Sequence, residues 1–218
     1  MTSHEPNSPA PDATAQMAFW RGDFGREYAL RNEITPERLQ THTRAWARML
    51  NVLTGSMPST ILEVGANVGI NLHALRQITS APLYAVEPNS LCRQRLAADG
   101  IVAAERVLDG TARAIALPDA SVDLVFTCGV MIHIHPDHLP ASCQEMYRVS
   151  RRYILCAEYF SDKPETIPYR NQQDLLFKRD FGALWMEQFP QLRLLDYGFF
   201  WKQVTDLDNL TWWLFEKG

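Results

Sequence analysis

One segment, residues 61–71, constrains the fold of this chain more than any other. It reads Ile-Leu-Glu-Val-Gly-Ala-Asn-Val-Gly-Ile-Asn, a short apolar run with one acid, Glu63, followed by two glycines, Gly65 and Gly69. A helical pattern begins at Ile70. A strand, a glycine turn and a helix in this order form a ligand-cradling loop in an open parallel sheet. Glycine lets the backbone bend sharply and come close to the ligand. The segment therefore predicts an α/β fold with a ligand site at the turn.

The spacing of the glycines separates two classes of cofactor. Dinucleotide sites use Gly-x-Gly-x-x-Gly, whereas this chain has Asn67 two positions after Gly65 and no third glycine after Gly69. The pattern from Glu63 to Gly69, Glu-x-Gly-x-x-x-Gly, instead resembles motif I of the class I S-adenosylmethionine-dependent methyltransferases. A nicotinamide oxidoreductase is the alternative that this spacing opposes.

A second acid lies at the predicted tip of the next strand. Residues 83–87 form a short apolar run that ends in Glu87, with Pro88 directly after it. An acid about 20 residues past the glycine loop can accept hydrogen bonds from both ribose hydroxyls of a nucleotide cofactor. The resemblance gives Glu87 this role toward S-adenosylmethionine, the cofactor that it implies.

Apolar runs and helical patterns alternate along the chain. This alternation predicts a parallel sheet with helices on both faces. The last two strands are joined by a connection too short for a crossover helix, which fits an antiparallel final strand. Together with the resemblance, the pattern predicts an α/β, Rossmann-like, seven-stranded, mostly parallel sheet with an antiparallel last strand. The predicted strands cover 61–64, 83–87, 101–108, 122–128, 153–159, 192–200 and 210–216.

The sequence predicts one domain preceded by a tail. Residues 1–17 are rich in proline, serine and other polar residues, which is typical of disorder. Residues 18–218 form a single methyltransferase-like domain, in which 18–56 supply a lid and a helix. Residues 160–190 form an insertion on the substrate side, irregular up to 181 and then helical.

Charge and hydropathy exclude several classes of partner. A net charge of −4 over 218 residues, without a long cluster of lysine and arginine, disfavours nucleic acid as the substrate. No segment approaches the roughly 18 apolar residues of a membrane span, and the start lacks a signal-peptide pattern. We therefore expect a cytoplasmic protein.

The resemblance implies which residues contact the cofactor. Motif I borders the methionine half of S-adenosylmethionine, with Glu63 beneath it. Residues after the third strand fall where the family contacts the adenine ring, and the end of the fourth strand reaches the amino group. The implied cofactor-binding residues are Glu63, Gly65, Asn67, Gly69, Glu87, Pro88, Thr111, Ala112, Cys128 and Gly129.

His133 and Glu158 are the candidate catalytic residues. Histidine is the side chain best tuned to accept a proton near neutral pH, and His133 is expected at the mouth of the pocket. Three roles are open for His133: it is a general base, it orients the loop, or it caps a helix. Glu158 ends the fifth strand and pairs with a cationic amine or guanidine. The nearby His135 and His138 straddle a strand end and a helix start, which disfavours a metal site.

Two segments are candidates for substrate binding. An aromatic stretch near the start is expected to fold over the cofactor as a lid. The 160–190 insertion mixes aromatic residues with both signs of charge, so it is either a solvated face or a substrate-reading loop. Its arginines can hold a carboxylate or phosphate as a fork. The candidate substrate-binding residues are Trp20, Tyr28, Arg31, Tyr159, Arg170, Lys178 and Arg179.

A closer resemblance lies in segments outside motif I. Residues 19–28 read Phe-Trp-Arg-Gly-Asp-Phe-Gly-Arg-Glu-Tyr, and residues 127–134 read Thr-Cys-Gly-Val-Met-Ile-His-Ile. With the closing 210–217, Leu-Thr-Trp-Trp-Leu-Phe-Glu-Lys, they resemble the methylases associated with pseudaminic acid biosynthesis. The resemblance runs from residue 18 to the end and implies methylation of a nitrogen or oxygen on a small molecule.

The resemblance leaves the acceptor open among amino acid derivatives, amino sugars and nucleoside-like natural products. It implies a small-molecule methyl acceptor as the partner and a monomer or homodimer as the assembly. A non-catalytic module that only binds the cofactor or a partner is the alternative.

Overall fold

A computed structural model describes residues 14–169 and 172–218, which form a central sheet with helices around it. In the described chain the strands are β1 (Ile61–Val64), β2 (Leu83–Val86), β3 (Val107–Leu108), β4 (Val122–Cys128), β5 (Ser150–Glu158), β6 (Glu165–Tyr169), β7 (Gln172–Lys178), β8 (Arg193–Phe200) and β9 (Leu210–Glu216). Seven strands form one sheet in the order β3-β2-β1-β4-β5-β9-β8. β1 to β5 are parallel, and β9 runs antiparallel to both neighbours. The predicted fold class is confirmed.

Helices cover both faces of the sheet, so its central strands β1, β2, β4 and β5 are largely buried. One apolar cluster contains Trp46 and Leu72, and the other contains Met146 and Trp185. Strands buried on both faces read as near-continuous apolar runs, as β1 does with all four residues buried. The helices are α1 (Ala15–Arg21), α2 (Asp23–Arg31), α3 (Pro36–Leu50), α4 (Ile70–Arg76), α5 (Ser90–Ala98), α6 (Leu139–Val149), α7 (Phe181–Gln188) and α8 (Lys202–Thr205).

The third strand is shorter than its apolar run predicts. Of the predicted 101–108, only Val107–Leu108 pair with β2, and Ala104–Arg106 form a 3-10 turn. β3 lies at the edge of the sheet with one neighbour, so no second ladder extends it. Val102 is nevertheless buried in the core.

The prediction of an irregular segment from 160 to 181 was wrong. β6 and β7 form an antiparallel hairpin with Glu165 opposite Lys178 and Ile167 opposite Leu176. Its register shifts between Ile167 and Tyr169, which is where Pro168 lacks an N–H for the ladder. The strand signal of each segment is weak alone, and pairing with the other segment supplies the missing stabilisation.

The predicted disordered tail extends too far into the chain. α1 begins at Ala15, where Thr14 Oγ1 accepts a hydrogen bond from Met17 N at 3.1 Å. The first part of that prediction, residues 1–13, lies outside the described residues. None of the helices in residues 14–169 and 172–218 combines the length and the apolar character that a membrane span requires.

Candidate active site

A cavity of about 750 Å³ opens at the carboxyl ends of the parallel strands. It lies where the strand order reverses, because β2 and β3 follow β1 on one side and β4 and β5 follow on the other. Open α/β sheets bind ligands at such a point. The walls come from the turn after β1, the ends of β2 and β4, the helices α1 to α3 and the β8–β9 loop.

The glycine turn after β1 forms the floor of the cavity. Gly65 and Gly69 have φ of 78° and 84°, a region that side chains with a Cβ rarely adopt. A Cβ on Gly65 would lie 2.6 Å from Val130 Cγ2, and one on Gly69 would lie 2.5 Å from Leu96 Cδ2. Gly65 and Asn67 line the cavity, whereas Gly69 stands behind them as the residue before α4.

Glu87 holds the glycine turn and faces the same cavity. Its Oε2 accepts a hydrogen bond from Asn67 N at 2.8 Å, and its Oε1 accepts one from Asn89 N at 2.7 Å. Burial raises the pKa of the Glu87 carboxyl to about 6, against the opposing effect of the two amides. Each carboxylate oxygen has a second lone pair, so Glu87 can still accept hydrogen bonds from a diol.

Glu63 carries a buried oxygen without a partner in the described chain. Its Oε1 accepts a hydrogen bond from Asn71 Nδ2 at 2.7 Å, and its Oε2 accepts none. Burial raises the pKa of this carboxyl well above its ordinary value. A buried polar oxygen without a partner is costly, so the cavity beside Glu63 suits the ammonium group of a ligand.

Asn71 links Glu63 to the opposite wall of the cavity. Its Oδ1 accepts a hydrogen bond from Trp46 Nε1 at 3.1 Å and lies 3.1 Å from His42 Nδ1. Because an indole N–H only donates, the amide oxygen must face Trp46 and the amide nitrogen must face Glu63. Sequence reasoning missed His42 and this role of Asn71, although a polar residue on the buried face of α4 was a signal.

The rest of the implied cofactor set lies along the same floor. Burial raises the pKa of the Cys128 thiol, which keeps it neutral. Thr111 Oγ1 accepts a hydrogen bond from Arg113 N at 3.2 Å and so shapes the turn after β3. The other cavity-lining residues of the set are Pro88, Ala112 and Gly129.

His133 lines the cavity with its tautomer set by the β6–β7 hairpin. Its Nδ1 lies 2.7 Å from the carbonyl oxygen of Leu175. A carbonyl only accepts, so Nδ1 carries the proton and Nε2 carries the lone pair. Burial lowers the pKa of His133, so the ring is neutral at pH 7 and can accept a proton.

Glu158 has a different place from the one predicted. It is fully buried and does not line the cavity. Its Oε1 accepts hydrogen bonds from Val130 N at 3.2 Å and Met131 N at 3.1 Å, and its Oε2 accepts one from Ile132 N at 3.3 Å. The side chain therefore holds the turn that carries His133 and is not placed to touch a substrate.

The predicted substrate residues divide into two groups. Trp20, Tyr28 and Tyr159 line the cavity. Arg31, Lys178 and Arg179 do not. Arg31 is exposed on α2, Lys178 ends β7 and Arg179 follows it. Lys178 Nζ lies 5.7 Å from the ring centre of Tyr159. Arg170 lies outside the described residues.

Several lining residues carry no motif and were not predicted. They lie in α3 and in the β8–β9 loop, two elements far apart in sequence that meet only in the fold. The residues are Glu37, Arg38, Thr41, His42, Asp206 and Asp208.

The three clustered histidines face different partners. His133 bonds to Leu175, His138 Nδ1 lies 2.9 Å from Arg113 Nη1, and the His135 ring lies against Phe177. Within residues 14–169 and 172–218, no group of three or more histidines, cysteines or acids could hold a metal ion.

Residues 61–152 match the family model of a methyltransferase domain. The cofactor predicted from motif I, S-adenosylmethionine, is the one that this family uses. No curated protein sequence matched the chain. The closer resemblance to the pseudaminic acid-associated methylases has no support from these comparisons.

Solved structures share the fold at low sequence identity. A methyltransferase from Leishmania major is 17% identical with a TM-score of 0.69, over 93% of this chain and 86% of that one. The 1,6-didemethyltoxoflavin N1-methyltransferase of Burkholderia thailandensis, solved with S-adenosylhomocysteine, is 18% identical with a TM-score of 0.67, over 95% and 92%. The magnesium protoporphyrin IX methyltransferase of Synechocystis is 11% identical with a TM-score of 0.65, over 93% and 98%. The fold is that of the class I methyltransferases.

Proposed function

We propose that this protein is an S-adenosylmethionine-dependent methyltransferase that methylates a nitrogen or oxygen of a polar small molecule in a biosynthetic pathway. The observation that carries the proposal is the pair of buried carboxylates, Glu63 and Glu87, on either side of the glycine turn. Glu63 Oε2, which has no partner among the described residues, supports the binding of a cation, and the remaining lone pairs of Glu87 support the binding of a diol.

The residues around the turn fit the three parts of the cofactor. Glu63 takes the ammonium of the methionine half, Glu87 takes the ribose hydroxyls, and Thr111 and Ala112 border the adenine ring. When bound, S-adenosylmethionine supplies a methyl group on a sulfonium centre, from which a nucleophile can displace it. The protein orients that nucleophile and excludes water.

His133 is our candidate for the residue that removes a proton from the acceptor. Its neutral ring lines the cavity with Nε2 as the lone-pair nitrogen. Trp20 on α1 packs against it with ring centres 4.9 Å apart, so the N-terminal helices close the cavity over the reacting groups. General bases of this kind contribute about 10²–10⁴-fold to rate.

The resemblance of residues 19–28 and 127–134 to the pseudaminic acid-associated methylases supports a small acceptor such as an amino acid derivative, an amino sugar or a nucleoside-like molecule. The net charge of −4 supports the same conclusion over nucleic acid. We expect a cytoplasmic monomer or homodimer.

Calorimetry with S-adenosylmethionine, S-adenosylhomocysteine and NADH in parallel tests the proposal. We expect micromolar binding of the first two and none of NADH. Binding of NADH alone, or of no ligand, would contradict it. Cofactor binding without turnover of any acceptor would favour the non-catalytic module.

A further inference from the structure

We propose that the methyl acceptor is a primary or secondary amine that enters the cavity as a cation, and that His42 helps to bind it. This inference rests on the proposed methyltransferase function and names the substrate class for the same cavity. It depends on which groups of the cavity wall accept hydrogen bonds and which donate them.

His42 presents a lone pair because of a fixed chain of hydrogen bonds. Trp46 Nε1 donates to Asn71 Oδ1, which sets the orientation of the amide. His42 Nδ1 lies 3.1 Å from the same oxygen, so Nδ1 is the donor and Nε2 is the acceptor. The side chain lines the cavity, and partial burial lowers its pKa. His42 is therefore a neutral acceptor.

His133 presents a second lone pair from another element. Its Nδ1 donates to the backbone carbonyl of Leu175, because a carbonyl oxygen can only accept. The two histidines belong to α3 and to the turn after β4, yet both leave Nε2 as the acceptor nitrogen. A ligand that satisfies both must carry N–H or O–H donors.

The charged side chains that α3 and the β8–β9 loop contribute to the cavity favour a cationic acceptor. Apart from Glu63 and Glu87, the described lining residues include the carboxylates Glu37, Asp206 and Asp208 and one guanidinium, Arg38. Asp208 Oδ2 accepts a hydrogen bond from Tyr159 OH at 2.7 Å, while Lys202 contacts its other oxygen from outside the cavity.

Aromatic rings supply the remaining wall. The Trp20 ring centre lies 5.6 Å from that of Tyr28 and 4.9 Å from that of His133. Tyr169 lies 5.4 Å from His133 on the other side. The face of a tryptophan ring attracts ammonium groups, so Trp20 suits a cationic amine.

Anionic acceptors fit the charged lining residues of the cavity poorly. Arg38 is its one guanidinium among the described residues, and Arg38 Nη1 donates to the backbone carbonyl of Glu33. Asn32 and Thr41 can donate or accept and do not discriminate. A carboxylate or phosphate would face three acids and two lone pairs.

The reaction of an amine balances with the residues present. The ammonium nitrogen gives one proton to His133 Nε2 and regains its lone pair. This lone pair forms the N–C bond to the methyl group, and the C–S bond breaks with its electron pair kept on sulfur. His133 then releases its proton to solvent.

Three probes of one size test the charge preference. We would titrate phenethylamine, 3-phenylpropionate and 2-phenylethanol into protein saturated with S-adenosylhomocysteine, and follow methylation with S-adenosylmethionine by mass spectrometry. We expect the amine to bind at least tenfold more tightly than the other two and to be the probe that gains a methyl group. Equal or weaker binding of the amine, or methylation of another probe, would overturn the inference. Failure of S-adenosylhomocysteine to bind would instead refute the proposed function.

Variants of His42 test its part. His42→Phe should raise the Kd of phenethylamine at least tenfold and leave that of S-adenosylhomocysteine within twofold. His42→Gln keeps an acceptor in its side-chain amide, so its Kd for phenethylamine should stay within about threefold of the native value. His73→Gln is the matched control, since His73 lies on α4 outside the cavity. An unchanged amine Kd in His42→Phe, or a parallel loss of cofactor binding in both His42 variants, would show that His42 is structural.

Discussion

At the scale of single residues, two buried carboxylates define the floor of the site. Glu63 and Glu87 are almost fully buried, and both line the cavity. Burial disfavours the ionised form, and it is the largest cause of the raised pKa of each carboxyl. A ligand that brings an ammonium group to Glu63 and hydroxyls to Glu87 relieves this cost. The same two residues therefore account for the selectivity of the floor.

Loss of the Glu87 carboxylate should weaken cofactor binding. Glu87→Ala removes charge-assisted contacts to the ribose, so we expect a loss of about 1–3 kcal/mol in the binding of S-adenosylmethionine by calorimetry. Glu105→Gln, an exposed acid, is the control and should bind as the native protein does. Thermal unfolding of both variants checks the turn that Glu87 holds. Unchanged affinity would refute the ribose role.

Removal of the imidazole at His133 should slow turnover. His133→Ala should lower kcat by about 10²-fold or more while the cofactor Kd stays constant. His138→Gln, a nearby histidine outside the cavity, should keep its activity. A loss smaller than tenfold would leave His133 with a structural role.

The pH profile tests the same base independently. Burial lowers the pKa of His133 from 6.5, and only the neutral ring accepts a proton. The rate should therefore fall on the acid side with a midpoint below 6.5. A midpoint at or above 6.5 would mean that another group controls the fall in rate on the acid side.

At the scale of elements, residues of β5 and β7 hold the turn after β4 through hydrogen bonds. Glu158 accepts three backbone N–H bonds of the turn, and Leu175 fixes the ring that the turn carries. The position of His133 thus depends on two elements that are distant from it in sequence.

The pH dependence of stability should reveal the ionisation of Glu158. Burial raises its pKa from 4.5 to about 7, so its contribution to stability is full below 4.5 and is lost as pH rises toward 7. Glu158→Gln stays neutral throughout. The native protein's stability relative to this variant should therefore be greater at pH 5 than at pH 8, by roughly 1–3 kcal/mol in urea unfolding. The opposite trend would mean that the three amides outweigh burial.

The N-terminal helices are tied to the cofactor loops by Arg21. Its Nη1 donates to Pro88 O at 3.1 Å, and its Nη2 lies 2.8 Å from Asp109 Oδ1. Asn89 Nδ2 donates to Trp20 O at 3.0 Å in the same contact. The segment that was predicted as a lid therefore docks on the loops after β2 and β3.

Loss of the Arg21 contacts that hold this segment should weaken cofactor binding. Arg21→Ala should raise the Kd of S-adenosylhomocysteine about three- to tenfold, because a hydrogen bond of this kind contributes about 0.5–1.5 kcal/mol. Arg26→Ala on α2 removes an exposed arginine and should change little. Identical affinities for the two variants would argue against a closing role.

At the scale of the whole molecule, the sheet carries a core on each face. Trp212 and Trp213 follow each other on β9, and the alternation of side chains along a strand places them in opposite clusters. Both rings are buried because helices cover both faces.

Truncation of one of these rings should lower the stability of the whole domain. Trp212→Ala should lower the free energy of unfolding by about 3–5 kcal/mol through the cavity it leaves. Trp201→Ala, with a ring that is 55% exposed, should change it by no more than about 0.5 kcal/mol. Similar losses in both variants would contradict the burial difference.

Much of the fold and the cofactor floor could be predicted from local sequence. A run such as 61–71 contains the strand, the turn and the start of the helix, and glycine conformation is a property of the residue itself. Glu63 and Glu87 follow from their places at strand ends. The β6–β7 hairpin could not be predicted in this way, because its stability comes from pairing two weak segments.

The sequence by itself determined the class of fold, the glycine turn and the acids beside it, since periodicity and backbone conformation are local. Only the tertiary structure brought His42, His133 and Asp208 to one cavity, because they lie on elements far apart in the chain. It also decided that Glu158 holds a turn, because burial and hydrogen-bond partners depend on what packs around a side chain. The tautomers of the two histidines follow from the same packing, through Trp46, Asn71 and Leu175.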